Sequence, residues 1–411
     1  MRPKHTQHPL PSFPVYACAF LTPNEFVLGG GGGASRSGIK NKLRLYSVND
    51  SRAIELKDEY ELEKGEDAPM SMAAHQETGT IVCGVNSVQE KLDKGENDNC
   101  RAFSIKDNKI RPTSTRSTLP GAGKSDDYQK VTVLSPSGSI LAVAGSNDLH
   151  LLSFPSLESI AEPIHTEREI YDVAFINDAV ILATTHNLFV YTLPDSVSST
   201  TTATDTPSSP RPPKKKSKLN PNGGTQKLPT LELKTRVDLP DSTAEGSSFR
   251  AIRCHPNDES AVYTAINAVT PRSKKSKGPS RQAFVVKWNT KTWTVEKTRK
   301  VGDRGLTCFD ISADGRFLAF GSSDLSVGML DARTLSPLVS ILKAFEFPPT
   351  FVKFNPTTSL LVSGSADNSL RVVTIPQEVA GTSFAFVLFM LLAVVFLLLA
   401  IATKQYGVKL L

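Results

Sequence analysis

The chain has 411 residues, and its 47 lysines and arginines exceed its 41 aspartates and glutamates, which gives a formal net charge of +6. With 39% hydrophobic and 21% charged residues, the composition excludes a wholly disordered chain, a collagen-like rod and a disulfide-stapled miniprotein. Eleven bases lie in two acid-free segments, Pro207–Lys227 and Pro271–Arg281, so the remainder has 36 bases against 41 acids. The positive charge therefore belongs to two insertions, and the rest of the chain is mildly acidic.

The N-terminal segment and the cysteines both indicate a reducing compartment. Residues Met1–Pro14 lack the apolar stretch of a signal peptide. The five cysteines are scattered without CxxC pairs, and an odd number in apolar strand-like runs is typical of buried free thiols. We therefore expect the folded part to be cytosolic.

A run of five glycines, Gly29–Gly33, lies between a strand that ends at Leu28 and a strand that begins at Leu43. The run has the spacing of a dinucleotide-binding fingerprint, but that fingerprint requires a helix after the glycines. Unshielded glycine carbonyls can instead replace the hydration shell of K⁺. No carboxylate lies between Leu28 and Val48, which argues against Ca²⁺ or Mg²⁺. The pattern predicts a hairpin loop that binds K⁺ through the carbonyls of Gly29–Gly33, with a mobile hairpin as the alternative.

Three segments repeat one pattern: a strand, a polar turn, a second strand, and Gly-Ser-x-Asp before a third strand. Their aspartates are Asp148, Asp324 and Asp367, and an aspartate in a tight turn accepts backbone N–H bonds, so we assign these three a structural role. Repeats of about 40 residues with three or four short strands are typical of β-propeller blades. Four more degenerate copies complete an all-β, seven-bladed WD-repeat propeller. The predicted blades are Tyr16–Val48, Met70–Ile105, Val131–Leu152, Tyr171–Tyr191, Phe249–Val295, Leu306–Leu330 and Phe351–Val373.

The seventh predicted blade has only three strands before the C-terminal segment. An open sheet edge is a liability, so we expect the ring to close with an outer strand from Lys4–Leu10 or to leave that edge to the preceding loop. The propeller domain then covers residues 1–378.

Three further segments interrupt the repeats. Gly121–Ser125 imitates the end of a phosphate-binding P-loop, but the required first glycine is Thr118, so we interpret it as a polar loop. Residues 195–230 are rich in serine, threonine, proline and lysine, which predicts a disordered basic insertion. Residues 271–281 form a basic hairpin loop within the fifth blade. These basic segments favour a solvated spacer or a lipid-surface patch, although nucleic-acid binding is a rival interpretation.

Residues Phe384–Thr403 are apolar and uncharged throughout. Twenty residues of helix span roughly 30 Å, the hydrocarbon thickness of a bilayer, so we predict one transmembrane helix. With no earlier signal to translocate the propeller, we expect a single-pass protein with residues 1–378 in the cytosol and residues 404–411 as a short lumenal tail.

The glycine segment, the propeller and the C-terminal span together resemble the endoplasmic-reticulum exchange factors for the Sar-type small GTPase of the COPII coat, the prolactin regulatory element-binding protein group of WD-repeat proteins. The match rests on a GGGG…GI-x-NKL loop in the first blade. The residues on this motif are Gly29–Gly33, Gly38, Ile39, Asn41, Lys42 and Leu43. The resemblance implies that the loop binds a potassium ion and inserts at the nucleotide site of the GTPase to release GDP. Such a factor would start COPII vesicle formation for transport from the endoplasmic reticulum to the Golgi.

The resemblance also implies roles for individual residues. Asn41 would order the loop or contact the GTPase, Ile39 would present an apolar tip, and Gly38 and Lys42 would complete the active segment. Pro69 matches a position important to the fold. Two departures are Lys40, where some relatives have proline, and Phe345, in a stretch where relatives often have histidine.

An exchange factor needs no nucleophile or general base, so we expect nucleotide exchange without covalent chemistry and without a small-molecule substrate. The principal alternative is a non-catalytic membrane-anchored propeller scaffold, which would need no glycine loop. We expect no nucleic-acid partner, and the sequence leaves the oligomeric state open.

Overall fold

The computed structural model describes residues 4–34, 37–119, 127–194, 228–241, 246–270, 280–376 and 392–399. The chain divides into two compact units, residues 1–374 and 375–411. Among the described residues of the first unit, 28 strands form seven four-stranded antiparallel sheets. The prediction of an all-β, seven-bladed propeller is therefore confirmed.

Blades 1 to 6 each consist of four consecutive strands, of which the first lies innermost around the central axis. Blade 1 contains β2 (Val15–Thr22), β3 (Glu25–Gly30), β4 (Lys42–Val48) and β5 (Ile54–Glu61). Blade 2 contains β6 (Met72–His75), β7 (Thr80–Gly84), α1 (Gln89–Leu92), β8 (Cys100–Lys106) and β9 (Lys109–Arg116). Blade 3 contains β10 (Val131–Leu134), β11 (Ile140–Ala144), β12 (Asp148–Ser153) and β13 (Ile164–His165). Blade 4 contains β14 (Ile170–Ile176), β15 (Ala179–Thr184), β16 (Asn187–Thr192) and β17 (Leu233–Asp238). Blade 5 contains β18 (Ser248–Cys254), β19 (Ala261–Thr270), β20 (Ser280–Asn289) and β21 (Thr294–Gly302). Blade 6 contains β22 (Leu306–Ile311), β23 (Phe317–Ser322), β24 (Val327–Asp331) and β25 (Pro337–Ile341).

Blade 7 closes the ring with the N-terminal strand. It contains β26 (Pro349–Phe354), β27 (Leu360–Ser365), β28 (Ser369–Thr374) and, as its outer strand, β1 (His5–Pro9). The buried Arg371 of β28 donates to the main-chain oxygen of Ala344 (2.6 Å) and to Gln7 Oε1 of β1 (2.9 Å). The predicted closing strand within Lys4–Leu10 is therefore confirmed, and it removes an exposed sheet edge.

The apolar residues of each blade pack on both neighbouring blades. Strands β11 and β23 are buried at every position, since both of their faces meet another sheet. Between blades 7 and 1 a cluster of aromatic side chains includes Phe13, Phe20, Phe26 and Phe351. The continuous apolar runs in the sequence thus reflect burial between blades.

The two ends of the propeller carry different connections. Thr350 Oγ1, near the start of β26, donates to the Val15 oxygen at the start of β2, and Asn355, after β26, donates to the oxygen of Pro23, after β2. Innermost strands therefore run side by side in the same direction. We call the end at which β2 begins the loop face, because the β3–β4 connection lies there, and the other end the opposite face. By the same strand order, the β16–β17 connection and the end of β28 at Thr374 lie at the opposite face.

Several predicted segments fall outside the described residues. These are Gly121–Ser125, most of the 195–230 insertion, the 271–279 part of the basic loop, and residues 404–411. In the second unit, residues 392–399 are helical. The described part of the chain contains no helix that is long and apolar enough to cross a membrane, so the span over 384–403 stays a prediction.

Candidate functional site: the glycine loop of blade 1

The glycine run begins inside a strand and continues into the β3–β4 connection. Gly29 and Gly30 belong to β3 and pair with β2 on one side and with β4 on the other. Gly31 (φ +141°) and Gly33 (φ +70°) then adopt backbone angles that side chains rarely permit. We call residues 31–41 the glycine loop; Ser35 and Arg36 in it lie outside the described residues.

Gly29, Gly30 and Gly31 are required by close packing, and Gly31 by conformation as well. A methyl group on Gly29 would lie 2.7 Å from Pro69 Cβ, and one on Gly30 would lie 2.2 Å from the oxygen of Pro14. A methyl group on Gly31 would lie 2.2 Å from Asn41 Oδ1. Pro69, assigned from sequence only a role in the fold, is buried and packs directly beneath the start of the loop.

Asn41 holds the base of the loop with its buried side chain, which is only 7% exposed. Its Nδ2 donates to the main-chain oxygens of Gly33 (2.9 Å) and Glu66 (2.7 Å), and its Oδ1 accepts from the N–H of Gly33 (2.9 Å). This pair of bonds with Gly33 joins the two ends of the loop. Asn41 is therefore placed to order the loop from within.

The connection between blades 1 and 2 provides a second support for the loop. Asp67 Oδ1 accepts hydrogen bonds from the N–H groups of Ala34 (3.1 Å) and Ala68 (2.8 Å). The carboxylate of Glu66, whose side chain is 5% exposed, is paired with Arg101 Nη2 at 2.6 Å. Sequence reasoning missed these three residues because they follow the glycines by more than 30 positions. The available signal for Asp67 is its place two positions before the motif residue Pro69.

The other residues of the motif lie at the edge of the loop. Gly38 (φ +77°) is exposed and has open space around it, while Ile39 is half-buried. Lys40 pairs with Glu61 at 2.7 Å, but its side chain is 65% exposed, so the pair contributes little. Lys42 contacts the carboxylate of Glu59. Among the described residues of the glycine loop, Lys40 is the charged side chain that extends into solvent.

The contacts that hold Lys42 also lower the pKa of Glu59. Burial alone would raise the pKa of Glu59, but hydrogen bonds from Lys42 and Arg44 outweigh it and lower the pKa below its usual value. Arg44 Nε lies 2.6 Å from Glu59 Oε2. Lys42 is therefore tied to its own sheet, whereas Lys40 extends into solvent.

The far side of the loop packs closely against the Gly32 backbone. A Cβ added at Gly32 would meet Ser37 Oγ at 2.0 Å and the Ile39 oxygen at 2.9 Å. Asp67 brings a carboxylate to within 3.2 Å of the Cβ position of Gly33. Within the described residues no group of three or more His, Cys, Asp or Glu side chains could hold a metal ion. Asp67 thus supplies a carboxylate that the segment between Leu28 and Val48 lacks, and main-chain oxygens with one carboxylate suit a hard cation better than a transition metal.

The repeat aspartates lie in blades 3, 6 and 7, away from the glycine loop. Asp324 Oδ1 accepts from the N–H of Ser326 (3.0 Å), and Asp367 Oδ2 accepts from the N–H of Glu346 (2.6 Å). Asp148 begins β12, and its Oδ1 contacts His165 Nδ1 at 2.8 Å. Phe345 is buried, with the Arg371 guanidinium 5.8 Å from its ring centre.

A central cavity of about 360 Å³ lies between the innermost strands. Its charged lining residues Arg253, Asp310 and Lys353 join with Asp172 in one chain of ion pairs across blades 4 to 7. The pairs are Asp172–Arg253 (2.5 Å), Arg253–Asp310 (3.4 Å) and Asp310–Lys353 (3.2 Å). Since each charge here has a partner of opposite sign, the chain has a structural explanation: it joins four consecutive blades.

Comparisons with known proteins agree with this architecture. The family model "WD domain, G-beta repeat" matches residues 337–373, which extend from β25 of blade 6 through the first strands of blade 7. The guanine nucleotide-exchange factor SEC12 of Candida glabrata is 24% identical over 386 residues, which cover 92% of this chain and 74% of that protein.

Two further relatives are similar over most of this chain. SEC12-like protein 2 of Arabidopsis thaliana is 22% identical over 84% of the chain and 74% of its own length. The putative guanine nucleotide-exchange factor SED4 of Candida glabrata is 22% identical over 90% of the chain, but over only 32% of its own length. The chain is thus a homologue of proteins named SEC12, with a WD repeat in a seven-bladed propeller.

Proposed function

We propose that the protein is a guanine nucleotide-exchange factor for a Sar-type small GTPase and that the glycine loop is its active element. The observation that carries the proposal is the glycine loop itself: Asn41 and the blade 1–2 connection hold it, yet its tip at Gly38 is exposed. The names of the homologous proteins support the general role in nucleotide exchange. Recruitment of the GTPase at the endoplasmic-reticulum membrane, through residues 384–403, belongs to the same proposal.

Exchange requires only that the factor bind the nucleotide-free GTPase more tightly than the nucleotide-bound form. By linkage, the bound factor then weakens the affinity of the GTPase for GDP by the same ratio. A loop that is held at its base does not have to be ordered when it binds, which saves conformational entropy. Gly38 and Ile39 would enter the partner, and the exposed Lys40 ammonium would attract the anionic nucleotide site.

Potassium would be held by main-chain oxygens of the loop glycines, with the Asp67 carboxylate nearby. A bound K⁺ would supply positive charge that draws these oxygens together and stiffens the loop. The residues of the chain itself provide the rest: Asn41 fixes the base, and Asp67 fixes the N–H of Ala34.

The test uses the full chain in detergent with purified small GTPases loaded with a fluorescent GDP analogue. We expect GDP release from a Sar-type GTPase to accelerate, and to accelerate more in K⁺ than in Na⁺ buffer. Asn41→Ala should abolish most of the acceleration, whereas Asn49→Ala, in the exposed β4–β5 turn of the same blade, should leave it unchanged.

Two outcomes would contradict the proposal in different ways. If no GTPase is accelerated in either buffer but one still binds, the protein is a scaffold rather than an exchange factor. If acceleration is equal in K⁺ and Na⁺, the exchange activity stands and the potassium site is wrong.

A further inference from the structure

We infer that the ion pair between Glu66 and Arg101 positions the glycine loop from the neighbouring blade; this inference rests on the proposed exchange function. Glu66 belongs to the blade 1–2 connection, and Arg101 lies in β8 of blade 2. Their side chains are 5% and 13% exposed, and their charged atoms are 2.6 Å apart. A pair this deeply buried and this short has a well-defined geometry.

The pair is connected to the loop through the main chain of Glu66. The second carboxylate oxygen of Glu66 accepts from the N–H of Glu63 (2.9 Å), which fixes the turn around Gly65. The main-chain oxygen of Glu66 is thereby directed at Asn41 Nδ2 (2.7 Å). Asn41 in turn bonds both the N–H and the oxygen of Gly33. The order of contacts is therefore Arg101, Glu66, Asn41, Gly33.

Asp67, the next residue in the chain, also supports the loop. Its N–H donates to the oxygen of Asn86 in blade 2 (3.1 Å), and its carboxylate accepts from the N–H of Ala34. Arg101 is itself fixed, because its Nε donates to the oxygen of Asp98 (2.9 Å). Blade 2 therefore acts as the rigid base for a loop that belongs to blade 1. Among the described residues of the loop, Glu66 and Arg101 support the base and not the exposed Gly38, so we treat them as positioning residues and not as part of the partner-binding surface.

If the Glu66–Arg101 pair only stabilised the fold, its removal would lower stability without exposing particular loop amides. If the pair positions the loop, the amides of Gly33 and Ala34 should lose protection. The chain offers a second ion pair between the same two blades, Lys109–Asp58 (2.6 Å), at the opposite face, where the Lys109 side chain is 61% exposed. Removing Lys109 should cost little stability and leave the loop unchanged. Removing the Glu66–Arg101 pair should weaken the hydrogen bonds of the Gly33 and Ala34 amides in the loop.

The experiment measures amide hydrogen exchange by NMR on the full chain in detergent, labelled with ¹⁵N at glycine and alanine. Three loop amides serve as reporters: Gly33 and Ala34 depend on the support, whereas the N–H of Gly31 donates to Pro14 and does not. In Arg101→Met we expect protection of Gly33 and Ala34 to fall at least about tenfold while Gly31 is unchanged. Arg101→Lys should restore part of the loss, and Lys109→Met should leave all three amides as in the wild type.

Nucleotide exchange is measured on the same variants. GDP release should slow in Arg101→Met, recover partly in Arg101→Lys, and stay unchanged in Lys109→Met. If Arg101→Met does not fold, Glu66→Gln replaces it, because glutamine keeps an oxygen that can accept from the N–H of Glu63 but loses the charge paired with Arg101. Glu66→Gln should then deprotect Gly33 and Ala34, and protection within about twofold of the wild type would overturn the inference for this variant too.

Two results would overturn the inference. The first is protection of Gly33 and Ala34 within about twofold of the wild type in a folded Arg101→Met protein. The second is deprotected loop amides with GDP release at the wild-type rate, which would make the pair a support of the loop without a role in exchange. If the wild type itself fails to accelerate GDP release, the proposed function fails, while the amides still decide whether the pair orders the loop.

Discussion

Replacing the buried Asn41 by alanine should destabilise the propeller more than a truncation at an exposed turn of blade 1. The substitution removes three hydrogen bonds, with Gly33 twice and with Glu66 once, and all three lie at a side chain that is 7% exposed. At about 1 kcal/mol for each bond, the expected loss is about 3 kcal/mol. In a unit of 374 residues this corresponds to a fall in melting temperature of roughly 4 °C.

Urea denaturation followed by tryptophan fluorescence measures this loss, because Trp288 is buried in blade 5 and reports global unfolding. The matched control is Asn49→Ala, whose side chain accepts from Ser51 Oγ and from the N–H of Ala53 in an exposed turn. We expect the control to lose less than about 1 kcal/mol. Equal losses for the two variants, or a loss below about 0.5 kcal/mol for Asn41→Ala, would refute the view that Asn41 orders the loop from within.

Three further predictions concern the packing and closure of the ring. Gly29→Ala should cost about 1–3 kcal/mol through overpacking against Pro69 Cβ, and Pro69→Gly, which removes that atom, should recover part of that cost in a double-mutant cycle; additive losses would contradict the contact. Arg371→Met should lower the urea midpoint and make the N-terminal strand β1 susceptible to limited proteolysis. If β1 stays uncleaved in this variant, Arg371 does not hold it in blade 7. The pKa values of His5 and His8 are lowered, chiefly by burial, so the folded state binds fewer protons than the unfolded state and stability should fall as pH drops below 6.5. Replacing both histidines by glutamine should flatten the melting temperature between about pH 7 and pH 5; an unchanged slope would assign the effect to other groups.

The blade pattern could be predicted because each repeat carries its own local signals. The Gly-Ser-x-Asp tetrads and the short alternating strands are features of contiguous sequence, so they mark blades 3, 6 and 7 directly. Ring closure could be predicted from the number of strands, because the last repeat has only three and its exposed edge needs a fourth strand. The confirmed pairing of β1 with β28 satisfies that requirement.

The contacts that support the loop could not be predicted, because they join residues that are distant in the sequence. The Glu66–Arg101 pair and the Asp67 contact with Ala34 join residues of different blades, and nothing in the spacing specifies which side chains meet across that boundary. The sequence also marked all five glycines as one cation-binding run. The structure divides them, because Gly29 and Gly30 belong to a strand, where Pro69 and Pro14 leave no room for a side chain.

The direction in which β28 ends has a practical consequence for measuring association. Strand β28 ends at Thr374 on the opposite face, whereas the glycine loop lies on the loop face. A biosensor surface attached through a linker directly after residue 374 would therefore leave the loop face open to a soluble partner. A surface attached through the β5–β6 connection would cover the loop. Immobilising the same protein in both orientations would thus separate partners that bind the loop face from those that bind elsewhere.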